Sequence, residues 1–198
     1  MKTILTATLF LVVANGAAFA DPCQDRFTEL YLPLDQGVPT KSASTIAFKG
    51  APPSSNDFLY LSQDHYMTVP TSPAGPWILG YNNVLYQSAD EGKTWEKIRE
   101  METGQNADKA RADKLANAET IRNSACAEEE LNGEAVEVVA ADITISQGMV
   151  TENRYTYWVR KSDGFIVKAI YDTKAPNFEM VTTQTIEQAP GLTLPEPE

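Results

Sequence analysis

Between residues 58 and 186 the chain reads in steps of two, and that period constrains its fold more than any other feature. Residues 58–61, 66–69, 77–81 and 84–87 are short runs rich in aromatic and aliphatic side chains, a composition that suits a half-buried pleated surface. Turn chemistry separates them, at Gln63-Asp64, Ser72-Pro73-Ala74-Gly75-Pro76 and Asn82-Asn83. Residues 95–101 extend the series, and residues 135–145, 154–160, 165–172 and 178–186 resume it. In the second set Asn132-Gly133 and Lys161-Ser162-Asp163-Gly164 carry hairpin signals. Short turns with no strand–helix alternation predict an α+β domain over residues 21–188, built on one antiparallel sheet of about eight or nine strands.

The interruption is helical in pattern. From residue 106 to 123 the composition turns to Ala, Lys, Asp, Glu and Arg, with Ala107, Ala110, Leu115, Ala118 and Ile121 three to five residues apart. That stripe predicts an amphipathic helix laid on the sheet. A second, shorter helix is expected near the start, with Asp21 as cap, Pro22 in the first turn, Phe27, Leu30 and Tyr31 facing inward, and an end by Pro33. Residues 35–55, punctuated by Gly and Pro, read as an irregular crossing with one strand or short helix near residues 45–48. Residues 189–198 read as a disordered Pro-rich tail.

Strand alternation puts Tyr155, Tyr157 and Val159 on one face and Thr156, Trp158 and Arg160 on the other, while Phe165, Val167, Ala169 and Tyr171 alternate with Ile166, Lys168, Ile170 and Asp172. Both faces therefore carry apolar bulk. Helices can cover one; the other needs a layer of loops or is a binding surface.

Residues 1–20 have the plan of a secretory signal peptide: Lys2, an apolar run, then Ala18-Phe19-Ala20 with cleavage expected after Ala20. A membrane anchor is the rival reading, but spanning a bilayer takes about 20 apolar residues and this run is shorter. Asp21-Pro22 ahead of Cys23 argues against a lipidated cysteine. No later run is long enough to span a membrane. Cys23 and Cys126 are the two cysteines, and in an oxidising compartment they are expected to pair. The net charge of −11 opposes nucleic-acid or anionic-lipid binding driven by Lys and Arg clusters.

Ser88-Ala89-Asp90-Glu91-Gly92-Lys93-Thr94-Trp95 matches the Asp-box hairpin of sialidase-type propellers. Its physics is local, Asp90 capping the turn and Gly92 admitting positive φ, and one copy cannot build a propeller. His65 is the one histidine, with no nucleophile elbow to serve. Glu128-Glu129-Glu130 reads as a solvated edge, and no spaced ligand set or phosphate loop is present, so no cofactor or metal is expected.

The segment from Tyr155 to Lys168, Tyr-Thr-Tyr-Trp-Val-Arg-Lys-Ser-Asp-Gly-Phe-Ile-Val-Lys, is similar to a late hairpin of periplasmic LolA-like and LppX-like proteins. The resemblance implies a single curved antiparallel β-sheet, half-barrel-like, with two or three helices covering one face and acyl chains held in the hollow. It implies a non-catalytic periplasmic carrier or binding protein for a lipid or other hydrophobic ligand. Tyr81, Trp158, Ile166 and Ile170 are the residues expected to line the hollow, and each is equally explained as ordinary core. The competing readings are an envelope interaction module that meets a protein partner without small ligand, and a hydrolase using His65 or a carboxylate pair.

Overall fold

The computed structural model describes residues 21–101 and 107–197; the expected leader and Asn106 lie outside them. Helix α1 (Pro22–Tyr31) starts as its sequence dictates. Pro22 occupies the first turn, and the Asp21 carboxylate accepts the Cys23 N–H at 3.0 Å.

Eleven strands follow, in one antiparallel sheet: β1 (Thr40–Phe48), β2 (Ser54–Ser62), β3 (His65–Ser72), β4 (Trp77–Tyr81), β5 (Val84–Ser88), β6 (Glu96–Glu100), then, after helix α2 (Ala107–Ala118), β7 (Arg122–Leu131), β8 (Glu134–Gln147), β9 (Met149–Arg160), β10 (Ile166–Ala175) and β11 (Phe178–Gln188). The turns use the residues that tolerate positive φ: Asn82 and Asn83 at 49° and 62°, Asn132 and Gly133 at 54° and 84°. The strand beyond those expected is β7, and β1 extends the strand or short helix expected near residues 45–48 back to Thr40. The inward side chains at the start of β1 are the hydroxyls of Thr40, Ser42 and Ser44, all buried, and β7 is largely exposed; neither has an apolar alternation to reveal it.

The strand order is β6-β5-β4-β3-β2-β1-β11-β10-β9-β8-β7, two meanders joined by the pairing of β1 with β11. Both outer strands are charged. Glu96, Lys97, Arg99 and Glu100 stand on β6, and Glu128 to Glu130 on β7, which discourages pairing with another sheet.

Two helices, not three, are present among the described residues, and their backbones lie against β7 and β8. These backbones lie against one end of a face, while their side chains reach on to β9. Phe27 of α1, fully buried, stacks on Tyr157 of β9 at 5.5 Å, above Val139 and Ile143 of β8. The Cys23–Cys126 disulfide ties α1 to β7 with Cα atoms 5.6 Å apart. Helix α2 presents Asn117 and Ala118 to this core, but Leu115 is 58% exposed; the expected stripe is only partly used.

A second core lies on the other side of the sheet. Met67 of β3 and Leu79 of β4 are buried there beneath Leu194, which is 8% exposed. The tail expected to be loose is therefore seated on the sheet. Leu192 and Leu194 find apolar partners on β3 and β4, a match invisible in a segment judged by its prolines alone.

Candidate functional site

Residues directly opposite one another in an antiparallel ladder share a face, so the register carries the face assignment across all strands. Starting from Tyr157 and Val159 under α1, the helix side runs through Ala169 and Tyr171, Gln184 and Thr182, Ser44 and Ser42, then Phe58 and Tyr60, Tyr66 and Thr68, Gly80 and Ile78, to Leu85. Its middle is small and polar, Gln184 Nε2 donating to Ser44 Oγ at 3.3 Å. Two aromatic ridges flank that floor. On one, Tyr155 and Tyr171 meet edge to face at 4.6 Å; on the other, the Phe58 ring lies 6.1 Å from Tyr60 and 5.8 Å from Tyr66.

The second ridge has no helix packed on it, and Phe58, Tyr60, Tyr66, Ile78 and Leu85 are all only half-buried. The Tyr60 hydroxyl is shut off from solvent with no hydrogen-bond partner among the described residues. Burial, aided by the charges of Asp35 and Asp64, raises its pKa to about 12. Tyr66 lies flat over Gly80, where an added Cβ would sit 2.5 Å from its ring, and its hydroxyl meets Met101 Sδ at 3.5 Å.

Sheet twist brings the far end of the molecule to this ridge. Six strand steps separate β3 from β8, and at roughly 20–25° each the strand direction has turned by about 120–150°. Tyr66, Asn83 and Met101 thus share a cavity of 540 Å³ with Ala110 and Asp113 of α2 and with Gly148 at the β8–β9 turn. Gln63, Asp64 and Lys109 complete its polar rim.

Helix α2 is held in place by Lys114. Its ammonium donates to the carbonyls of Tyr31 and Pro33, the latter at 2.8 Å, and lies 4.7 Å from the centre of the Tyr31 ring. It supplies the positive charge that the carbonyl end of α1 favours. Burial lowers its pKa to about 8.

The four residues singled out in the sequence do not converge. Ile166 is on the helix side, beside a second cavity of 430 Å³ that Leu30, Val38 and Phe165 also line. It reaches that side through a bulge: the register shifts between Ile166 and Lys168, so Ile166 pairs with Val159 and breaks the simple alternation. Trp158 and Ile170 lie on the outer side. The Trp158 ring is covered by Lys168 at 4.3 Å and its Nε1 donates to Glu129 at 3.0 Å. Tyr81, also outward, belongs to the core beneath the tail and lies 4.8 Å from the His65 ring. The residues missed, Phe58, Tyr60 and Tyr66, all sit in runs recognised as strands; what the sequence lacked was the face.

The Asp-box is a built turn. Ser88 Oγ donates to Asp90 at 2.8 Å and accepts from Gly92 N–H at 2.8 Å, while Asp90 accepts from the Thr94 amide at 2.9 Å and its hydroxyl at 2.7 Å. These donors, Thr94 foremost, hold the Asp90 carboxyl down at about 2. His65 Nε2 is engaged by the Pro195 carbonyl at 3.0 Å. Glu128 pairs with Lys161. Among the described residues no helix is long and apolar enough to cross a membrane.

No protein-family model matches the chain, and no curated protein matches it. Solved structures do. The MucA/MucB complex of Pseudomonas aeruginosa matches at 12% identity and a TM-score of 0.49, covering 88% of this chain and 59% of that one. This chain therefore spans less than two thirds of that protein's length. A LolA superfamily protein from Nitrosomonas europaea matches at 11% identity and a TM-score of 0.36, covering 87% and 93%. The hypothetical lipoprotein YmcC of Escherichia coli matches at 14% identity and 0.35, covering 87% and 100%.

Proposed function

We propose that the protein is a periplasmic carrier or binding protein for a lipid or another amphiphile. The apolar part of the ligand lies along Phe58, Tyr60 and Tyr66, and its polar part reaches the rim at Gln63, Asp64 and Asn83. The observation that carries this reading is the aromatic ridge that faces α2 across a cavity at Tyr66 with no helix packed on it, one hydroxyl of the ridge being buried without a partner among the described residues. A cavity of 540 Å³ is of the size that small-molecule sites occupy, roughly 300–1,000 Å³. The disulfide supports an oxidising compartment.

The test is native mass spectrometry, with lipid extraction, of protein purified under mild conditions from its own host. A bound mass of fatty-acyl size is expected, lost on Phe58→Asp and kept on Ile170→Asp, which alters the outer side. Loss on Ile170→Asp alone would move the site to the other face. A clean apo mass, with no uptake of added lipid, would refute ligand carriage and favour the reading as a protein-interaction module. That reading draws on Leu115 of α2 and Val150 of β9, 58% and 56% exposed.

A further inference from the structure

The outer side of β2–β5 has a shape the hollow does not explain. Residues 189–197 turn back from β11 through an Ala189–Leu192 turn, closed by a 2.9 Å bond between the Leu192 N–H and the Ala189 carbonyl. They then run extended without joining the sheet. Leu192 and Leu194 face Met67 and Leu79 with Thr193 outward. His65 Nε2 donates to the Pro195 carbonyl at 3.0 Å.

The strands beneath are complete without this segment, since β3 and β4 pair with each other and with β2 and β5. The segment is held by side-chain contacts and joins no strand, so it can leave without breaking a ladder. Proline suits such a ligand, because a segment lying on a sheet face has no ladder acceptor for the N–H that proline lacks.

The geometry points to a peptide-docking groove on the outer side of β2–β5, occupied in cis by the chain's own C-terminal segment. Its external occupant is an extended segment of a partner protein presenting two leucines one residue apart followed by proline. His65 reads the carbonyl of that proline, and Met67, Leu79 and the flanking Leu59 and Trp77 receive the leucines. The tail competes intramolecularly at an effective concentration on the order of millimolar, so partners that bind weakly are excluded.

The test uses a fluorescein-labelled peptide of residues 189–198 and fluorescence anisotropy with the full chain. A double variant, Leu192→Asp with Leu194→Asp, is expected to bind the peptide at least tenfold more tightly than the unaltered chain. A peptide carrying the same two changes should not bind. Equal binding by both chains, or none by a folded double variant, overturns the proposal. Hydrogen exchange on the unaltered chain gives an independent reading: the amides of Thr193, Leu194 and Glu196 should exchange at least a hundredfold faster than those of Met67 and Leu79. Equal protection would make the tail permanent core and overturn the proposal. So would a concentration-dependent dimer that the double variant cannot form, since the occupant would then be the tail of a second copy.

Discussion

Replacing both cysteines by serine removes the bond between Cys23 in the first turn of α1 and Cys126 in β7, 103 residues apart. In the chain-entropy treatment, a cross-link closing a loop of about 100 residues restricts the unfolded chain by about 4.7 kcal/mol. That is a change on the order of a thousandfold in the ratio of folded to unfolded protein. The native side of the balance should move little. Phe27 remains buried against Tyr157, and Arg26 remains bonded to Glu137 at 2.9 Å, so α1 has other anchors. The expected result in guanidinium unfolding, followed by near-ultraviolet circular dichroism, is a loss of about 3–5 kcal/mol. The dependence on denaturant should steepen because the uncrosslinked chain exposes more surface. A loss below about 1 kcal/mol with an unchanged slope would refute the reasoning, since the loop would then already be closed by structure in the unfolded ensemble. Rapid exchange of the Phe27 and Thr28 amides in the variant would refute it differently, by showing that the bond holds α1 in place.

Two further outcomes follow from buried groups. Burial raises the pKa of Tyr157 well above its ordinary value and that of Tyr171 to about 12. The stability contributed by their neutral forms is complete below pH 10 and is lost above it, at up to about 1.4 kcal/mol per pH unit for each tyrosine. Lys114, held at about 8, acts in the opposite sense, binding more protons unfolded than folded between pH 8 and 10.5. Stability should therefore rise gently from pH 8, peak near pH 10 and fall steeply, with Tyr171→Phe flattening the fall; an unchanged alkaline slope in that variant would count against the assignment. Gly80→Ala should destabilise by about 1–3 kcal/mol in thermal unfolding, because its Cβ meets the Tyr66 ring at 2.5 Å. Adding Tyr66→Ala should relieve most of that loss, and a neutral Gly80→Ala would show that the ring is free to move.

Turn chemistry was the most legible part of the fold. Asn82-Asn83, Asn132-Gly133, Gly164 and the Asp-box are local devices whose backbone demands are written in adjacent residues, and each forms the expected turn. The cysteine pairing was equally direct. The site was not legible, for a physical reason: strands with apolar residues on both faces say how side chains divide but not which half the helices cover. Trp158 and Ile170, expected to line a hollow under the helices, stand on the other side of the sheet. The bulge before Lys168 moved Ile166 to the helix side, and the hydroxyl-lined start of β1 concealed the first half of a strand expected only near residues 45–48. Long-range register decided all three, and single-strand periodicity does not contain it.

The pairing of β1 with β11 has a further consequence. Every other ladder in the sheet is a hairpin or a hairpin-length neighbour in sequence, whereas Ser44 and Gln184 meet across 140 residues. Loop-closure entropy is thus concentrated in one seam. Parting that seam would leave two intact meanders, each presenting a long edge strand, with Thr40, Ser42, Ser44 and Thr45 on one and Thr182, Thr183 and Thr185 on the other. Such edges complement each other equally well within one molecule and between two, so this seam is the place where copies of the chain could exchange halves without breaking any other pair.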